Sequence, residues 1–125
     1  MMRTPLGKVR GLGSAKSGTE HFWRQRLTGV ALVPLAVFFL FTVVALQGET
    51  HATVVATLAN PFVGVLMLAF VVAGTWHMKL GLQVVIEDYV HGEGLKLAAL
   101  ALNTFFAVAV GLACAWAVVK ISFGG

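Results

Sequence analysis

Three apolar runs, each long enough to cross a hydrocarbon layer, constrain this chain more than any other feature. They extend from about Leu27 to Leu46, Pro61 to Ile86 and Leu97 to Val119, and a helix needs only roughly 20 apolar residues to cross about 30 Å of lipid. Backbone amides inside lipid must find their partners within the segment, so each run is expected to be a helix. A soluble alternative fails on composition. Of the 125 residues, 58% are hydrophobic and 11% charged, more apolar surface than one core of that size can hide. The sequence therefore predicts an all-α integral membrane protein, with a basic tail over residues 1–19 and a three-helix anchor domain over 20–125.

Charge sets the expected orientation. Arg3, Lys8, Arg10, Lys16, Arg24 and Arg26 all precede the first span, and the connection from Gln47 to Asn60 carries no Lys or Arg. The connection from Glu87 to Lys96 carries Lys96, with Lys79 close enough to snorkel to the same side. The positive-inside rule then puts the N-terminus and the second connection on the cytoplasmic or matrix side, and the first connection and C-terminus outside. Lys120 counts weakly against this. The net charge of +4 is thus read as a topology signal against lipid headgroups, with no nucleic-acid partner. The first run is too long for the core of a signal peptide, and no small-residue cleavage site directly follows Gln47, so a retained helix is expected.

Other features point to packing. Pro34 lies within the first span, where neighbouring helices can satisfy the freed carbonyl and a kink is tolerated. Ala107, Gly111 and Ala115 recur at spacing four on the third span, a small-residue stripe that admits another helix. Asn103 on that span is placed to bond across to a neighbour. The lone Cys114 rules out an intrachain disulfide and a cysteine-built metal cluster, and no Gly-rich phosphate loop is present. Residues Glu20 to Arg26, EHFWRQR, mix aromatics with charge as at a headgroup layer, so the first helix is expected to begin before the lipid does.

Chemistry concentrates on the second span, in GTWHMKLGLQVVIEDYVHG, Gly74 to Gly92. Ionisable groups within a membrane helix are costly and usually face the bundle interior. His77 stands between Gly74 and Gly81, which fall on nearly the same helix face, a clearance that suits a flat macrocycle with a nitrogen ligand. Spacing alone leaves three roles open: haem ligand, a histidine bonded to a neighbouring helix, or proton relay. Asp88 follows eleven residues later, about 20° off the His77 face and about 16 Å nearer the cytoplasmic boundary. Tyr89 is next to it. A neutral phenol can donate one strong hydrogen bond to a quinone carbonyl while the carboxylate orients groups or passes protons; the pair also suits a plain interfacial helix end. Arg24 and Arg26 are expected at that same level, able to pair with haem propionates, a quinone oxygen or lipid phosphates. His21, His51 and His91 fall outside the spans and are expected to be solvated.

The pattern His77, Gly81, Asp88, Tyr89 on the second of three spans, behind a basic tail and an arginine at the mouth of the first, resembles the hydrophobic membrane anchor of succinate dehydrogenase (complex II). Residue-level likeness covers about Phe22 to Gly29 and His77 to Tyr89. The companion anchor of the same complex, its cytochrome b chain, typically carries an R-P-x-S-P-H segment and a G-x-R-H run after its haem histidine, whereas Gly81 here precedes Leu82, Gln83 and Val84. The resemblance implies that His77 is an axial ligand of haem b, with the second ligand from that cytochrome b anchor, against which the three helices pack. It further implies that Tyr89 hydrogen-bonds ubiquinone with Asp88 beside it, and that Arg26 lies near a haem propionate. A flavoprotein subunit would oxidise succinate and an iron–sulfur subunit would deliver the electrons, in a bacterial or mitochondrial inner membrane. This chain would then hold no dicarboxylate site. A haem-free structural or assembly subunit, and the anchor of a fumarate reductase running the reaction in reverse, are the competing expectations.

Overall fold

Asn60 and Pro61 mark the sharpest boundary in the computed structural model, which describes residues 5–11 and 17–124. Asn60 closes α3 (His51–Ala59) and opens α4 (Pro61–Tyr89), its side chain accepting from the Phe62 amide at 2.9 Å. Proline at the first position of α4 has no N–H to leave unpaired there. The preceding elements are α1 (Pro5–Val9) and α2 (Ser17–Ala45), and α5 (Glu93–Gly124) completes the order. No strand occurs among the described residues. Gly48, at φ +79°, turns the chain after α2 through the left-handed region, which only glycine enters freely.

Long, apolar and weakly charged, α2, α4 and α5 each suffice to cross a membrane, over 27, 29 and 32 residues. All three expected spans are present. The first helix begins at Ser17, inside the expected tail and well before Leu27; Pro34 does not interrupt it. The third reaches beyond both expected ends. Residues 1–4 and 12–16 of the basic tail lie outside the described residues, and the part between them includes the short helix α1.

One element is not among those expected. The stretch from Gln47 to Asn60, read from the sequence as a plain connection, contains α3. Thr50 caps it by accepting from the Thr53 amide at 3.2 Å, a standard N-cap bond. Nine residues make a marginal helix alone, and α3 packs on both α4 and α5. The Ser122 hydroxyl donates to the Leu58 carbonyl at 2.7 Å, fastening α3 to the end of α5.

The three long helices form a row with α4 in the middle. α4 packs on α2 and on α5, while no described residue of α2 comes within 8 Å of α5, Cα to Cα. Numbering runs in opposite directions across each seam. Gln25, Thr28, Leu32 and Phe39 meet Gly81, His77, Gly74 and Phe70 in turn, and Lys79 and Thr75 meet Asn103 and Gly111. Adjacent helices are therefore antiparallel. Phe39 and Phe70 stack with ring centroids 4.8 Å apart, a pair contributing about 1 kcal/mol beyond its buried area.

The small-residue stripe on α5 packs as expected. Ala107 is buried, and a Cβ added at Gly111 would lie 3.3 Å from the Thr75 hydroxyl oxygen. Asn103, 7% exposed, donates to the Lys79 carbonyl at 3.0 Å and so bonds α5 to α4. Hydroxyls of Thr42, Thr75 and Thr104 turn back onto carbonyls of their own helices, as groups in lipid must. At the opposite end, a Cβ at Gly64 would stand 3.2 Å from the Ser122 hydroxyl and 3.3 Å from the Leu58 carbonyl oxygen. The carbonyl is backbone and cannot swing away. Gly64→Ala is therefore expected to cost roughly 1–3 kcal/mol by overpacking, seen as a lower melting temperature of the detergent-solubilised protein; an unchanged value would show that the α3 seam yields freely.

Candidate functional site

α2 carries a polar stripe toward α4: His21, Gln25 and Thr28, at helical spacings of four and three. Thr28 is only 7% exposed, and its hydroxyl stands 2.8 Å from the Arg24 carbonyl, 3.1 Å from that of Gln25 and 3.0 Å from Nδ1 of His77. This last contact joins the first and second spans at the one histidine in the membrane segment of α4. Among the described residues, Thr28 is the hydrogen-bond partner of the ring, and Nε2 has none.

The imidazole lies against the α2 backbone. A Cβ at Gly29 would meet His77 Cε1 at 3.4 Å and Nδ1 at 3.9 Å. His77 does stand between Gly74 and Gly81, but these two positions receive α2 side chains: Leu32 Cδ2 lies 3.9 Å from a Cβ placed at Gly74, and Gln25 Nε2 3.6 Å from one at Gly81. On this side, then, the glycines bring the helices together around the ring.

The histidine at position 21 corrects the expectation of a solvated residue. Because α2 starts at Ser17, His21 belongs to the helix face that packs, and its Nε2 is sealed from solvent without a partner among the described residues. Gln25 Oε1 is in the same condition. Leaving such a group unbonded costs about 1–3 kcal/mol. His51 and His91 are exposed as expected.

Asp88 and Tyr89 end α4, with Val90 as its cap. Both are exposed, Tyr89 to 75%, and neither makes a side-chain bond to a described residue in this chain. Arg24 pairs with Glu20 one turn earlier at 3.8 Å, both side chains more than half exposed, an arrangement worth little by itself. Arg26 lies over the Phe22 ring at 5.1 Å. The antiparallel seam puts the start of α2 and the end of α4 at the same end of the row, but with Gln25 opposite Gly81 and Thr28 opposite His77, Arg24 and Arg26 lie roughly 10 Å nearer the level of His77 than Asp88 and Tyr89 do, not at the common level expected. Lys79 faces the other seam, in an apolar groove of about 390 Å³ lined also by Trp76, Thr75, Ala107, Gly111 and Leu112.

Among the described residues no cluster of three metal-binding side chains occurs. A haem iron is held by individual axial side chains and does not need such a cluster. His77 fits that role: its ring is held on one nitrogen by a neighbouring side chain and leaves the other without a bond, the usual disposition of a metal-ligating histidine. Sequence reasoning missed the contribution of Thr28. The available signal was helical phase, since Thr28 shares the face of His21 and Gln25.

Comparison with known proteins agrees on one family. The family described as succinate dehydrogenase/fumarate reductase transmembrane subunit matches residues 1–118. A succinate dehydrogenase hydrophobic membrane anchor subunit from Paracoccus denitrificans is 32% identical over 97% of this chain and 93% of its own length. The succinate dehydrogenase membrane anchor subunit of Reclinomonas americana is 34% identical over 76% of this chain and 82% of its own. The hydrophobic membrane anchor subunit of Rickettsia conorii (strain ATCC VR-613 / Malish 7) is 35% identical over 75% of each. No solved structure matches at a significant level.

Proposed function

From the membership of this chain in the succinate dehydrogenase/fumarate reductase transmembrane subunit family, as a membrane anchor, we propose that it holds haem b through His77 and receives ubiquinone at Tyr89 and Asp88. The observation that carries the reading is the His77 ring itself, bonded at Nδ1 to Thr28 with Nε2 left over, on the central helix of the row. A haem bound there supplies a one-electron store between the electron donor and the quinone.

The remaining steps belong to residues of this chain and to quinone. Tyr89, exposed at the end of α4, is free to donate its phenolic proton in a hydrogen bond to a quinone carbonyl. That bond strengthens as the oxygen gains negative charge, so the donor favours reduction over mere binding. Asp88 stands next to it at the rim, where water is at hand, and can relay the two protons that a quinone takes with two electrons. Arg24 and Arg26 add positive charge between this rim and the level of His77. They suit propionate or quinone oxygens, and lipid phosphates where those are nearer.

The partners in this reading are a cytochrome b anchor bearing the second axial ligand, an iron–sulfur subunit and a flavoprotein subunit. The row of helices supports it: with α2 and α5 apart, large apolar side chains such as Phe41, Leu102, Phe105 and Trp116 remain exposed, to be covered by lipid and by another membrane chain. In this reading the N-terminus lies on the cytoplasmic or matrix side of a bacterial or mitochondrial inner membrane and the C-terminus outside, as the positive-inside rule favours for the basic N-terminal region. Purification in mild detergent tests the assembly: the flavoprotein and iron–sulfur chains are expected to co-elute, and recovery of this chain alone would refute it.

A second reading draws on the same bond. Thr28–His77 also fastens α2 to α4, as in a haem-free structural subunit. A reduced-minus-oxidised spectrum separates the two, since haem b gives a sharp α-band and the structural subunit gives none.

A further inference from the structure

We propose that Thr28 is the positioning residue of His77, fixing which ring nitrogen carries the proton and so presenting Nε2 as the metal-binding lone pair. The inference rests on the haem-ligand reading of His77 and adds to it a role for a residue on another helix.

The hydroxyl has one proton and two acceptor lone pairs. Its shortest contact is to the Arg24 carbonyl, 2.8 Å, with the Gln25 carbonyl at 3.1 Å, and neither carbonyl can donate. The proton therefore points back along α2. Toward His77 Nδ1, 3.0 Å away, the oxygen is left as an acceptor, and Nδ1 must bring the hydrogen. A neutral imidazole has only one such proton, so Nε2 is bare. Gly29 completes the seat: with no side chain there, the ring rests against α2 close to the hydroxyl. Burial of Thr28 keeps water from competing for the bond.

An acceptor on Nδ1–H also raises the basicity of the imidazole toward a metal. A stronger donor favours ferric over ferrous iron, and loss of the acceptor is expected to shift the haem midpoint potential upward. The test uses the intact purified complex. Thr28→Val keeps the shape and removes the oxygen; Thr28→Ala removes it without bulk; Thr28→Ser keeps it. The Val and Ala variants are expected to show a raised midpoint potential and about tenfold weaker haem retention, while Ser matches the parent in both. Unchanged potential and haem content in an assembled Val or Ala variant would overturn the role of Thr28 and leave His77 as a ligand. Failure of both to assemble while Ser assembles would overturn it in favour of helix packing alone. A haem spectrum that survives His77→Ala would instead sink the reading beneath it.

Discussion

In a complex carrying His77→Ala, the α-band of haem b is expected to fall by about tenfold or more, since loss even of a residue supporting a metal ligand costs roughly 10- to 100-fold in affinity. The complex should still assemble. The substitution removes the Nδ1 contact to Thr28, but the Thr28 hydroxyl keeps its bonds to the Arg24 and Gln25 carbonyls. Interhelical polar bonds in membranes are worth only about 0.6 kcal/mol on average. Asn103–Lys79 and the Phe39–Phe70 stack continue to hold α4 on both sides. Spectrum and assembly therefore part company if His77 is a ligand. A structural histidine gives the opposite result: weaker assembly and no haem band to lose.

For Tyr89→Phe, quinone reductase activity is expected to drop about ten- to hundredfold, toward the roughly 10²–10³ seen when a donor to a developing oxyanion is removed. Haem content and the set of co-purifying chains should not change. Tyr89 is 75% exposed and the substitution removes one oxygen, so the chain itself has little to lose. Asp88→Asn offers a useful contrast, because it keeps a polar group at the rim and removes the carboxylate that would relay protons. Full activity in the Phe variant would take the phenol out of the quinone site.

The spans were legible because lipid imposes a length and an apolar composition that a sequence cannot disguise. Their ends were less so. Glu20 to Arg26 is too charged to count as apolar, yet it is helix, since the headgroup layer accepts a helix of either polarity. The expectation for His21 fails for that reason: it lies outside the apolar run but inside the extended α2, which turns it onto a packed face. α3 escaped because nine residues form no span and its helicity depends on α4 and α5, although Thr50 and the Asn60–Pro61 step were visible start and stop signals. The position of His77 between two glycines was readable from helical phase, but which helix would use the space was not. That depends on pairing α2 with α4, and phase within one helix carries no information about its neighbour.

A row with its second crossing in the centre fixes an order of events during synthesis. When α2 enters the bilayer, the face that will receive α4 stands open, and the contact from Thr28 to His77 waits until residues 61–89 have been made. α5, in contrast, emerges beside a crossing already in place, with the Lys79 carbonyl ready for Asn103. A ribosome stalled before the second crossing should therefore expose a first crossing open to quality-control proteases, and one stalled just after it should not.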